Sequence, residues 1–309
     1  MTKTAARISL LLFVVAAPAL ARARSAVPGL QTETPAPAAE PSSPAPPPAA
    51  PAPAPPAPPP EPELRYSLAT DATITGAAIA LWVGSEALKS HLAPSTCRWC
   101  DPPGFDSSVR DGLKWNDTEA ANVISYVIPL GVQPEHRQRF GLHAYAARDH
   151  GTPDAAWVDV LLISEATAVA MAMNQAVKFV VGRERPFVHA LPDDKKGQTA
   201  HPSDNNVSFY SGHSTFAFAM AASAGTIASM RRYRLAPSIW ATGMALAAAT
   251  AYLRIAADRH YASDVTVGAI LGSATGIAVP RLFHGPRRVM VAPAPLDNGG
   301  VMLVCRGLF

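Results

Sequence analysis

The stretch Leu253–Asp264 places Arg254, His260 and Asp264 between two uncharged, alanine-rich runs, where packing alone gives them no reason to be. If the backbone is helical from His260 to Asp264, the i,i+4 spacing puts imidazole and carboxylate on one face. A carboxylate so placed fixes the tautomer of the ring and steadies its charged form, which is what a reactive histidine needs. Arg254 lies six residues before His260, so one straight helix would turn it to another face. The stretch therefore predicts a helix ending near Arg254, a short turn, and a new helix beginning around His260 to Asp264.

Two further polar clusters stand at the edges of apolar runs. Lys178 and Arg185-Pro186 follow the long run from Trp157, and Tyr210-Ser211-Gly212-His213 opens the run Ser214–Met230. The three clusters supply Lys178, Arg185 and Arg254 as cations, Ser211 and Gly212 as a tight hydrogen-bonding corner, and two histidines. Fixed cations, two of them bidentate guanidiniums, suit a dianionic phosphate. One histidine can then attack phosphorus while the other protonates the leaving oxygen.

Apolar helices must position these groups. The pattern predicts them near Ala72–Leu88, Glu119–Leu130, Trp157–Val181, Ser214–Met230, Leu235–Leu253 and Val265–Pro280, with no competing period-2 stretch. The expected fold is all-α, six helices around a polar site. Charged residues make up 16% of the 309, below the quarter or so usual in soluble domains. A formal net charge of +3, with no basic stripe interleaved with aromatics, is too small to argue for nucleic acid, and none is expected as a partner.

Residues 1–21 read as an export signal: Lys3 and Arg7, an apolar core Ile8–Leu20, and the small-x-small site Ala19-Leu20-Ala21. The alternative is an uncleaved anchor, for which the apolar run is short. Residues 22–64 form a Pro/Ala-rich disordered linker that acts as an extended spacer. The helical domain follows at 65–285. Residues 286–309 form a C-terminal extension in which apolar runs flank Asp297-Asn298-Gly299-Gly300, a β-hairpin pattern. Cys97 and Cys100 are candidates for a small disulfide in an oxidising compartment. The polar insert Phe187–Phe209 is either a lid or substrate-selecting loop, or a solvated excursion.

Taken together, Lys178 with Arg185-Pro186, Ser211-Gly212-His213, and Arg254 with His260 and Asp264 resemble the motifs of the type 2 phosphatidic acid phosphatase and vanadium haloperoxidase superfamily in order and spacing. The likeness covers about 178–264 directly. The chain departs from the usual pattern at Tyr210, where the family has proline, and at Leu253, where it has serine. The resemblance implies a helical bundle of the phosphatidic acid phosphatase/haloperoxidase type. It also implies His260 as nucleophile, held by Asp264, with His213 as acid and then base. Lys178, Arg185, Ser211, Gly212 and Arg254 would bind the phosphate, with no metal or other cofactor. The substrate would be a phosphorylated lipid, an isoprenyl diphosphate or a small phosphate ester.

Other readings fit less well. A vanadate-dependent haloperoxidase would put vanadate on His260, in enzymes that are generally larger. A zinc hydrolase built on His201, His213, His260 and Asp264 would set three cations against a divalent ion. A serine hydrolase at Ser211 lacks the glycine-flanked elbow. A catalytically inactive membrane-organising or lipid-binding protein leaves the cations and both histidines unexplained. Gly268, Gly272 and Gly276 make a small-residue ridge for close helix packing, and arginines at 231, 232, 234, 281, 287 and 288 suit cytoplasmic ends of spans. Against that, six spans with an outward site conflict by parity with a cleaved signal, and a soluble periplasmic acid phosphatase is the alternative. The expectation is a bacterial envelope protein, exported and membrane-associated, with its site facing the periplasm.

Overall fold

A computed structural model describes residues 63–130, 136–285, 290–295 and 301–306. The expected export signal and nearly all of the expected linker lie outside the described residues. The chain joins the core at Leu64, the last residue assigned to that linker, which is buried with Val158, Leu162 and Ile227.

The helices are α1 (Leu68–Ala87), α2 (Lys89–Leu92), α3 (Gly104–Leu113), α4 (Thr118–Leu130), α5 (His136–Asp149), α6 (Ala155–Val181), α7 (Pro186–His189), α8 (Asp193–Lys196), α9 (Gly212–Met230), α10 (Ala236–Ala256) and α11 (Ala262–Phe283). The six expected helices are α1, α4, α6, α9, α10 and α11. The amphipathic α3 and the charge-dotted α5 escape a search for apolar runs. An antiparallel pair, β1 (Met290–Pro295) and β2 (Val301–Arg306), forms the expected hairpin, in register from Met290 opposite Arg306 to Pro295 opposite Val301.

Helix α9 is the centre, packed by α11, α10 and α6, while α1 lies on α6 and α4 on α10. Three glycines of α11 set its approach to α9. A Cβ on Gly268, Gly272 or Gly276 would fall 2.7, 2.5 and 2.5 Å from the carbonyl oxygens of Ser211, Thr215 and Ala219. Each next glycine meets the next turn of α9, so the backbones touch along three turns, as a small-residue ridge allows. The first of those contacts falls on the Ser211-Gly212-His213 corner itself.

Helices α1, α6, α10 and α11 are long and apolar enough to cross a membrane. The outer faces of α1, α6 and α11 carry Leu81, Val83, Val180, Ile270 and Leu282, all more than half exposed. The polar residues of α6 turn inward instead. Asp159 receives Arg231 Nε and the Tyr233 hydroxyl, each at 2.8 Å, which ties α6 to the α9–α10 turn. Arg231, expected at a membrane flank, is thus drawn onto a buried carboxylate.

Candidate active site

Lys178 lies in the last turn of α6, which ends at Gly182 in the left-handed conformation (φ 61°) with its N–H on the Lys178 carbonyl. That stop turns the chain into Arg183-Glu184-Arg185. Arg185 then precedes Pro186, whose fixed φ suits the first position of α7. The Arg185 guanidinium is fixed by Nε to the Asp204 carbonyl at 2.7 Å and Nη1 to the Arg259 carbonyl at 3.3 Å.

Ser211 caps α9, its hydroxyl accepting from Ser214 N at 3.4 Å and Ser214 Oγ at 3.1 Å. Its own N–H donates to the Asp264 carbonyl at 3.0 Å, joining the second cluster to the third. Where the family pattern has proline, the Tyr210 carbonyl is held by Asn174 Nδ2 at 2.8 Å. Gly212 allows a close approach: a Cβ there would lie 3.1 Å from both Lys178 Nζ and Asn174 Oδ1. The His213 ring stands edge-on to Tyr126, centroids 4.4 Å apart.

The third cluster forms as expected in outline, with α10 ending two residues past Arg254 and α11 starting two residues past His260. The His260–Asp264 pairing differs in detail. Tyr261 is extended (φ −76°, ψ 165°) and is the N-cap, so no helix runs from His260 to Asp264. The two meet because Asp264, at the third helical position, reaches back to Tyr261 N at 2.9 Å. His260 Nδ1 stands 3.6 Å from Asp264 Oδ2, just beyond hydrogen-bond length. The Ser208 hydroxyl lies between, donating to Asp264 Oδ2 at 2.6 Å and 3.5 Å from His260 Nδ1. The turn is closed by His260 N on the Arg254 carbonyl (3.2 Å) and by Asp258 at φ 59°, whose carboxylate is gripped by Arg110 and Lys114. Arg254 is steered by α4, Nη1 donating to Asn122 Oδ1 and Ser125 Oγ at 2.8 Å each.

These groups converge on one cavity of about 1110 Å³, whose wall includes Lys178, Arg185, Gly212, His213, Arg254 and His260. Ser211 and Asp264 stand behind that wall, wholly buried, as cap and as support. Burial, then Arg254, His260, Lys178 and Arg185, push the His213 imidazole well below its ordinary range. Burial and the three cations do the same to His260. Both rings are therefore neutral at neutral pH. The polar insert contributes Phe187, Leu191, His201 and Asp204 to the wall. Asp204 is pinned by Lys89 at 2.8 Å, and Lys89 also pairs with Glu86.

The residues that sequence reasoning missed are mostly supports. Arg183, Ser208 and Asp106 fix Asp264, and Tyr126, Asn122 and Ser125 fix His213 and Arg254. Arg183 alone had a signal, as a third cation two residues before Arg185.

In this helical bundle three cations and two histidines face one cavity, an arrangement whose charge and donors suit a phosphate-like oxyanion. Residues 159–288, which carry all three motifs, match the model of the PAP2 superfamily. The crystal structure of a transmembrane PAP2-type phosphatidylglycerolphosphate phosphatase from Bacillus subtilis is similar at a TM-score of 0.38 and 16% identity, over 65% of this chain and 93% of that one. A likeness of that size carries no argument about substrate. No curated protein matches the chain. The match over 159–288 supports a phosphoric ester hydrolase as the coarse activity.

Proposed function

We propose that the chain is a metal-independent phosphatase that hydrolyses phosphate mono- or diphosphate esters through a phosphohistidine at His260. One observation carries this reading: Lys178, Arg185 and Arg254, from three separate stretches, meet His213 and His260 on one cavity. The cations and the Gly212 amide hold the equatorial oxygens, with Ser211 aiming that amide as N-cap. His260 attacks phosphorus through Nε2, Nδ1 being the nitrogen turned to Asp264 and Ser208. As the P–N bond forms, the bond to the leaving oxygen breaks and His213 gives that oxygen its proton. Water then attacks phosphorus, passes its proton to His213, and the P–N bond breaks. Burial and then the cations hold His213 low, and a bound dianion offsets the cations, which moves His213 toward the protonated form that the acid role needs. Positioning and fixed charge supply most of the acceleration in such transfers.

The same cavity carries Trp82, Met171, Phe187, Leu191 and Phe216 beside the anion cradle. Trp82 and Met171 belong to α1 and α6, helices apolar enough to span a membrane. This combination supports a lipid phosphate or isoprenyl diphosphate as substrate. The matching setting is an exported, membrane-associated envelope enzyme with its site on the periplasmic side.

The test is phosphate release by purified full-length chain in EDTA, beside His260→Ala, with phosphatidic acid, phosphatidylglycerol phosphate, undecaprenyl diphosphate and p-nitrophenyl phosphate. Release that survives chelation, is lost in the variant, and ranks lipid substrates first is the expected result. No release from any of them, or release unchanged in the variant, overturns the proposal.

A further inference from the structure

Asp71 near the start of α1, Glu165 within α6 and His284 at the end of α11 meet in the protein interior, each at 5% exposure or less. They use none of the phosphate-binding machinery. Glu165 precedes Lys178 by thirteen residues of one helix, about 20 Å at 1.5 Å per residue.

We propose that Asp71, Glu165 and His284 form a site for one divalent first-row transition ion, Zn²⁺ being the natural fit. One possible ligand atom from each lies within 4.8 Å of the others. His284 Nδ1 sits 3.0 Å from the Arg65 carbonyl, which only accepts, so Nδ1 carries a hydrogen and, in the neutral ring, Nε2 the lone pair. That Nε2 is buried without a hydrogen-bond partner, 3.6 Å from Glu165 Oε1, and Glu165 Oε2 is likewise buried and unpartnered. An imidazole whose second nitrogen is anchored on a backbone carbonyl is the usual arrangement for a metal-ligating histidine. Asp71 is oriented in turn, its Oδ2 accepting from Ser67 N at 2.9 Å. The Arg65 guanidinium is committed to the Gly285 and Leu282 carbonyls at 3.0 and 3.4 Å.

Two buried carboxylates need compensating positive charge. One imidazole nitrogen and two carboxylate oxygens match the donors that zinc takes, with a fourth position for water. Bonds of about 2.0–2.2 Å place ligand atoms roughly 3.3 Å apart, so the cluster has to draw in by up to about 1.5 Å. An ion there would clamp α1, α6 and α11 together at the point where the chain enters the domain.

The test uses full-length chain in detergent, stripped with chelator and then offered ZnCl₂, with bound zinc measured by elemental analysis and the thermal midpoint followed in parallel. One zinc per chain and a midpoint that rises with zinc concentration are expected. Glu165→Gln, which keeps the side chain's size, and His284→Ala lose both effects, while His260→Ala keeps them. Co²⁺-loaded wild-type chain gives the visible absorption of a tetrahedral nitrogen/oxygen site, a readout that needs no variant to fold. No uptake of Zn²⁺ or Co²⁺ by the wild type, as when a proton on Nε2 satisfies Glu165 instead, overturns the proposal. Undiminished uptake by Glu165→Gln does so too.

Discussion

Arg183 Nη1 lies 2.6 Å from Asp264 Oδ1, in an ion pair that neither side chain shares with solvent. The guanidinium is sandwiched between the rings of Trp99 and Tyr261, 3.8 and 4.4 Å from their centroids, and its Nη2 reaches Asp106 at 2.7 Å. Asp106 in turn accepts from the Ser263 N–H and hydroxyl at the start of α11. With Ser208 and Tyr261 N on its other oxygen, Asp264 has every direction but that of His260 already assigned. The setting of Asp264 beside His260 thus depends on a stacked arginine that lies outside the cavity wall.

Arg183 is therefore a positioning residue. Removing one member of a buried ion pair costs about 3–5 kcal/mol, so Arg183→Ala is expected to lose much of its thermal stability. Arg183→Lys keeps the charge but gives up the fork and the stacking. That variant is expected to fold, with kcat lowered and KM close to wild type, because the phosphate cradle is untouched. A kcat equal to wild type in the folded Arg183→Lys variant would show that Asp264 needs no such anchor.

How much of this was legible beforehand follows from what each residue does. The groups lining the cavity have fixed spacings within short stretches, and those spacings alone named all three clusters. The six long helices announced themselves as apolar runs. What escaped were contacts between distant stretches: Asp106 from α3, Asn122 and Ser125 from α4, and Ser208 in the insert carry no local pattern that separates them from ordinary polar residues. The His260–Asp264 geometry escaped because a helix and a cap box share the same spacing in sequence. Only the extended backbone of Tyr261 decides between them.

His213 and His260 should weaken the fold in acid. Burial first, and then neighbouring cations, hold His213 and His260 well below the ordinary 6.5 in the folded state. As pH falls through about 6.5, the unfolded chain takes up protons that the folded chain refuses, so stability is full above that pH and declines below it. Inorganic phosphate or vanadate in the cavity offsets the cations and should flatten the decline. Thermal midpoints between about pH 5 and 8, with and without vanadate, check this. A profile that vanadate leaves unchanged would mean that no anion enters between the cations.

The glycine ridge makes a prediction about helix packing. An alanine Cβ at Gly272 would stand 2.5 Å from the Thr215 carbonyl oxygen and 3.1 Å from its Cα, and neither backbone can yield alone. Overpacking of this kind costs about 1–3 kcal/mol. Gly272→Ala is expected to lower the thermal midpoint and, by prising α9 from α11 one turn beyond Ser211, to lower kcat as well. Gly84→Ala is the matched control, since a Cβ at that position of α1 meets nothing within 4 Å. Equal midpoints for the two variants would remove the ridge from the account.

Gly212→Ala probes the cradle itself. Its Cβ would press at 3.1 Å on Lys178 Nζ and on Asn174 Oδ1, the first a flexible end and the second tied through its amide to the Tyr210 carbonyl. Lys178 yields more easily, so the fold should survive with little change in thermal midpoint while the ammonium moves off the position that serves the phosphate. Outright loss of one such donor lowers kcat by about 10²–10³. A displaced donor should cost less than that, with part of the loss appearing as a higher KM. Combining Gly212→Ala with Lys178→Ala separates the causes. If the glycine acts by making room for the lysine, the double variant is no slower than Lys178→Ala alone. If the two losses multiply, Gly212 serves the reaction by some other route, and the amide it donates becomes the first place to look.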